Sequence, residues 1–113
     1  MQIQVNTDNF IQGDERLEEL VKKEVKDHLG YLEDHLTRVE VHIKDQNGDK
    51  RGPENIQCTM EARPKGIQPI SAQDDAANIQ SAVTGAARKL KTRLAKEFGK
   101  LESKQKEHTP PRP

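Results

Sequence analysis

The longest amphipathic stretch of the chain runs from Asp75 to about Ser103, and it constrains the fold more than any other feature. Its apolar residues recur at steps of three and four or their sums, which is the period of one helix face: Ile79, Val83, Ala86, Leu90, Leu94 and Leu101. At a rise of ~1.5 Å per residue, such a helix is roughly 40 Å long. We therefore predict a long helix that packs on the rest of the domain through this apolar stripe.

Basic residues accompany the stripe on both of its sides. On a helical wheel of ~100° per residue, four of them share one flank at offsets of four, three and four: Lys89, Arg93, Lys96 and Lys100. Arg88 and Lys91 fall on the other side of the stripe. The wheel thus predicts a line of cations that faces water beside the buried face.

The charge of the chain is distributed unevenly although its formal net charge is zero. Residues 1–82 carry 10 Lys/Arg and 16 Asp/Glu, a net charge of −6, whereas residues 83–106 carry 8 Lys/Arg and 2 Asp/Glu, a net charge of +6. A phosphate-binding surface would therefore have to draw mainly on the last helix.

The segments that precede the long helix alternate between strand and helix patterns. Residues 2–6 read as a first strand, residues 14–29 as a helix that Asp14 caps and Gly30 ends, and residues 38–45 and 55–63 as two strands around the Asn47-Gly48 hairpin signal. Residues 67–72 form a weaker fourth strand, and Pro69 places it at a sheet edge. Asp74 or Asp75 is then expected to cap the long helix.

The order β-α-β-β-β-α predicts an α+β fold. We expect a two-layer sandwich with a four-stranded mixed sheet, in which the first two strands run parallel and two helices pack on one face. This domain covers residues 1–102, and residues 103–113, which lose apolar periodicity and end in prolines, are expected to be a disordered tail.

Several functional classes find no support in the residues. His28, His35 and His42 lie seven apart but on different elements, so we expect no metal site, and His28 reads as a partly buried structural residue. Cys58 lies on the inward face of a strand, so we expect a buried thiol rather than a nucleophile. We expect no catalytic residues, no cofactor and no enzymatic activity, and a cytoplasmic protein, since no apolar run approaches ~18 residues.

The residues alone leave three readings of the basic flank open. It can be a solvated helix face, a surface that contacts nucleic-acid phosphates by charge and shape, or a surface for an acidic protein partner. Only three aromatic residues occur in the chain, which argues against a surface that reads single-stranded bases by stacking.

A family resemblance favours the nucleic-acid reading. The element order, the opening 1–5 and the strand segment 38–43 resemble the short ribosome hibernation-promoting factor and ribosome-associated inhibitor A family, also called the sigma modulation or ribosomal subunit interface family. The last helix is similar too, and its matching positions are Ala82-Val83, Lys89-Leu90, Leu94, Lys96 and Lys100-Leu101.

The resemblance implies a translation inhibitor of stress or stationary phase that binds the small ribosomal subunit in its decoding channel and promotes ribosome hibernation. It implies ribosomal RNA contacts at Lys89, Lys96 and Lys100, with Arg93, Lys22 and Lys26 as further candidates. Arg88 and Lys91 are added as candidates because of their charge beside the stripe. The expected partners are the small subunit and its RNA, with no DNA or membrane partner, and the chain is expected to be monomeric off the ribosome. The alternative is a protein-binding regulator that uses the acidic half or the exposed sheet face.

Overall fold

The computed structural model describes residues 1–48, 52 and 54–107, with the helix backbone alone for residues 101–107. Its elements are β1 (Gln2–Thr7), α1 (Glu15–Leu29), a 3-10 helix (Gly30–His35), β2 (Leu36–Asp45), β3 (Ile56–Pro64), β4 (Ile70–Ala76) and α2 (Ile79–Glu107). The predicted order β-α-β-β-β-α is confirmed. None of the helices in these ranges has the apolar length that crossing a bilayer requires.

The four strands form one mixed sheet in the order β1-β2-β3-β4. β1 runs parallel to β2, with Ile3 opposite Val39, as a right-handed crossover through α1 predicts. The pairs β2–β3 and β3–β4 are antiparallel. β1 and β4 are therefore the two edges of the sheet, and the edge position predicted for the fourth strand is confirmed.

The core lies between the sheet and the two helices, which cover one face. Alternate strand residues such as Val41 and Met60 are fully buried there, and so are Val25 of α1 and Leu90 of α2. Each such aliphatic side chain contributes about 1.5–3 kcal/mol when it is removed from water. α2 packs on β3 and β4 and also contacts α1, so its buried stripe fixes which flank of the helix faces the β4 edge.

The boundary between β4 and α2 differs from the prediction. The strand begins at Ile70, directly after Pro69, because proline has no N–H to donate to a ladder. It continues through Asp74 and Asp75, so neither residue caps the helix. The cap is Asn78, whose side-chain oxygen accepts a hydrogen bond from the Ser81 N–H at 2.8 Å.

Other local predictions hold with small changes. Asp14 caps α1, since its carboxylate accepts from the Leu17 N–H at 3.0 Å. Gly30 ends α1 in a right-handed conformation, φ −58°, because the chain continues directly into the 3-10 helix. The hairpin between β2 and β3 is present, and Gly48 has φ +59°, a conformation that favours glycine.

α2 extends through Glu107, so its helical backbone includes the first residues of the segment predicted to be a tail. Residues 108–113 lie outside the described residues. The division at residue 102 stays a prediction.

Candidate nucleic-acid interface

The candidate interface is the flank of α2 that overhangs the β4 edge. Four residues form this basic flank: Lys89, Arg93, Lys96 and Lys100. All four are exposed, as the wheel predicts, because the neighbouring stripe of α2 is buried on the sheet. The flank runs from residue 89 to residue 100, which is eleven steps along the helix and roughly 16 Å at ~1.5 Å per residue.

Contacts to β4 hold the first half of the basic flank in place. Lys89 Nζ lies 2.7 Å from Asp74 Oδ1 and 3.3 Å from the Gln73 carbonyl oxygen. The Arg93 guanidinium donates to the Ser71 carbonyl oxygen. Because β4 has no strand on its outer side, these two cations also satisfy backbone acceptors at an open sheet edge, a recognised way of protecting such edges.

A nearby acid neutralises part of the basic flank at Lys89. Its ammonium forms an ion pair with Asp74, a carboxylate whose side chain is only 25% exposed. Lys100 pairs with Glu97 at 3.4 Å, but both side chains are well exposed, so this pair adds little. Among the described residues Lys96 has no ion pair, and Arg93 has a carbonyl partner that leaves its charge uncompensated.

Arg88 and Lys91, which the wheel predicts together on the other side of the α2 stripe, have different surroundings in the structure. Lys91 reaches across to the 3-10 helix that follows α1, and its Nζ lies 5.8 Å from the centre of the exposed Tyr31 ring. Arg88 is exposed and borders the same open surface as Lys89 and Thr92. Arg88 therefore extends the basic flank towards solvent, whereas Lys91 belongs to the junction of the two helices.

The cations of the two helices do not form one band. Lys22 and Lys26 border an open groove between α1 and β1, together with Glu18. β1 and β4 are opposite edges of the sheet, so these lysines and the basic flank lie on opposite sides of the domain. The structure thus brings Arg88 together with the basic flank, whereas Lys91, Lys22 and Lys26 lie elsewhere.

The comparison with known proteins decides the family. The sequence profile described as sigma 54 modulation protein / S30EA ribosomal protein matches residues 3–102, which is most of the 113-residue chain. The chain belongs to this family. The resemblance stated from the sequence is thereby confirmed, and the S30EA family is a ribosome-associated one by its description.

Two solved structures are similar to this S30EA-family chain. A ribosomal subunit interface protein from Coxiella burnetii is 18% identical with a TM-score of 0.71, and the match covers 88% of this chain and 99% of that one. The Protein Y N-terminal domain from Thermus thermophilus is 15% identical with a TM-score of 0.67, and the match covers 83% of this chain and 96% of that one. Similarity at these identities establishes the fold. No curated protein matches the sequence.

The sequence reasoning missed Asp74 and Gly85, which lie next to each other near the interface. Asp74 was assigned to a helix cap, but it lies inside β4 and faces the helices. The alternation of Ile70, Ala72 and Ala76 around it is the signal that could have shown this. Asp74 consequently enters the interface as the partner of Lys89.

His28 and Cys58 of this S30EA-family protein have structural surroundings. His28 is half-buried, and its Nδ1 lies 2.9 Å from the Glu24 carbonyl oxygen, which agrees with the predicted structural role. Cys58 is buried as predicted, and its burial, with a smaller contribution from the Asp74 carboxylate, raises the pKa of the thiol to about 12. Within the described residues no three His, Cys, Asp or Glu side chains gather as a metal site would need. The absence of catalysis and of a cofactor stays a prediction.

Proposed function

We propose that this S30EA-family protein inhibits translation by binding the small ribosomal subunit through the basic flank of α2. It would occupy the decoding channel and keep ribosomes inactive under stress or in stationary phase, acting in the cytoplasm as a monomer and without a cofactor. Family membership supports the ribosome as the partner, and a protein of this fold is described as a ribosomal subunit interface protein.

The observation that carries the assignment to α2 is the exposure of its cations along one rigid edge. From residue 79 to residue 100 the helix holds six Lys/Arg and a single acid, Glu97. One strand of a nucleic-acid duplex advances ~3.4 Å along its axis per phosphate, so a flank of roughly 16 Å spans about five phosphates. The flank can therefore contact a phosphate backbone at several points without reading base identity.

The opposite face of the sheet is a weaker candidate for a partner surface. Four of its charged residues are paired with one another, since Glu40 contacts both Arg38 and Arg63, and Arg63 also contacts Glu61. A protein-binding regulator that uses this face would have to break these pairs. A pull-down from nuclease-treated lysate distinguishes the two functions, because a partner retained after loss of RNA contradicts ribosomal RNA as the ligand.

Co-sedimentation with purified small subunits tests the proposal. Three to four phosphate contacts predict a log–log salt slope of roughly −2 to −4, at ~0.7–0.9 per phosphate. Wild-type protein should pellet with subunits at about 50 mM salt and be largely released at about 200 mM. Absence from the pellet at the lower salt concentration would contradict the proposed function.

A charge reversal at Lys96 tests the location of the site. Lys96→Glu should weaken binding roughly tenfold, because it removes one phosphate contact and introduces a repulsive charge. Lys44→Glu is the matched control, since Lys44 is exposed on the helix-free face of the sheet and undergoes the same change of charge. Equal weakening by both variants would show that the basic flank is not the contact surface.

A further inference from the structure

Asp74 is a carboxylate built into the interface between β4 and α2. It pairs with Cys58 across the sheet, on the face that also carries the buried Ala72. The side chain of Asp74 is only 25% exposed. The next residue, Asp75, is exposed and lies on the opposite face of the sheet. Asp74 therefore points at α2 instead of at solvent.

Gly85 leaves the space that the Asp74 carboxylate occupies. A Cβ built on Gly85 would overlap the carboxylate of Asp74, and even the Cβ of Asp74 would lie 3.2 Å away. Gly85 is helical and needs no left-handed conformation, so the requirement for glycine here is one of space. Lys89 follows Gly85 by one helical turn on the same face.

Lys89 is consequently held by β4 on one side and open to solvent on the other. Its Nζ donates to Asp74 Oδ1 at 2.7 Å and to the Gln73 carbonyl at 3.3 Å, yet its side chain is 57% exposed. An ammonium group has three donors, so one remains for a phosphate. Any phosphate bound there would lie next to the Asp74 carboxylate, which carries the same sign of charge.

We infer that Asp74 is an internal competitor of RNA phosphate for Lys89, and that it limits the affinity and the salt dependence of the basic flank. This inference rests on the proposed function, since it concerns RNA binding by the same flank. Lys96 and Arg93, which have no carboxylate partner in the described part of the chain, would carry most of the attraction in the wild-type protein. Lys89 would contribute fully only in a variant that lacks the Asp74 carboxylate.

The test compares Asp74→Asn with Asp75→Asn in binding to purified small subunits over a range of salt concentrations. Both variants remove one negative charge from neighbouring positions of β4, but only Asp74 contacts Lys89. Asp74→Asn should bind roughly two- to fivefold more tightly at about 100 mM salt, which is the range of an exposed ion pair. Its salt slope should steepen by up to ~0.7–0.9, as expected for one added phosphate contact. Asp75→Asn should show a smaller gain in affinity and an unchanged slope.

A second background shows whether the effect passes through Lys89. In Lys89→Ala protein, Asp74→Asn should lose its advantage over Asp75→Asn. Circular dichroism checks the fold, and Asp74→Ser replaces Asp74→Asn if the latter fails to fold. The inference is overturned if Asp74→Asn and Asp75→Asn behave alike, or if the advantage persists without Lys89. If wild-type protein binds and the two variants do not differ, only the inference is refuted. If Asp74→Asn binds but wild-type protein does not, the inference is supported and the proposed function is contradicted. Failure of every variant to bind overturns both.

Discussion

Replacement of Gly85 by alanine tests the packing of α2 on β4 directly. In most helix interiors a glycine-to-alanine change stabilises a protein by about 0.5–1 kcal/mol, because alanine loses less backbone freedom on folding. At Gly85 the new methyl group would occupy the position of the Asp74 carboxylate. Asp74 would have to leave its conformation and release Lys89.

The expected magnitude follows from these opposing terms. Overpacking of this kind costs about 1–3 kcal/mol, and loss of the exposed Lys89 pair adds about 0–1 kcal/mol. After subtraction of the helix-propensity gain, Gly85→Ala should lower the free energy of unfolding by about 1–2 kcal/mol. Gly99→Ala on the same helix is the matched control, since a Cβ there meets no atom within 4 Å, and it should raise that free energy by about 0.5–1 kcal/mol.

Urea unfolding followed by circular dichroism measures both variants, provided that the transitions are two-state and share one denaturant slope. Combining Gly85→Ala with Asp74→Ala isolates the cause, because the cost of the alanine at position 85 should fall once the carboxylate is gone and only the Cβ of residue 74 remains, at 3.2 Å. A Gly85→Ala protein at least as stable as wild type would refute the packing argument. So would an equal cost of Gly85→Ala with and without Asp74.

Two further predictions concern the cap of α2 and the buried thiol. Asn78→Ala should lower the free energy of unfolding by about 1 kcal/mol, since it removes the acceptor of the Ser81 N–H; an unchanged urea midpoint would contradict this capping role. The raised pKa of Cys58, about 12, means that its thiol ionises first in the unfolded chain. The buried neutral thiol therefore contributes its full stabilisation below about pH 9. Towards pH 12 this contribution is lost, and the free energy of unfolding falls by at most ~1.4 kcal/mol per pH unit. Urea unfolding at pH 8 and pH 10 should show this fall in wild type, and Cys58→Ala should lack it; equal falls would exclude the thiol as the cause.

Local patterns were sufficient for most of the elements. The spacing of Val21 and Val25 placed α1, and Asp14 marked its first residue, because periodicity and capping depend on residues within one or two turns. The stripe around Leu90 also placed the basic flank correctly, since the buried face of a helix determines which residues face water. The predicted end of β4 was wrong because an aspartate before a helix commonly caps it, and this capping preference outweighed the strand alternation that continues to Ala76.

The electrostatics of the candidate site depended on contacts between residues distant in sequence. The ion pair of Lys89 with Asp74 spans 15 positions and requires α2 to lie on β4 with Gly85 next to the Asp74 side chain. The separation of Lys26 from that flank follows from the strand order, which puts β1 and β4 at opposite edges. The sequence by itself determined the elements, the α+β order and a helix with one basic flank, because these follow from short-range periodicity. Only the tertiary structure decided which cations share a surface and which of them already have a partner, because charges interact through space and not along the chain.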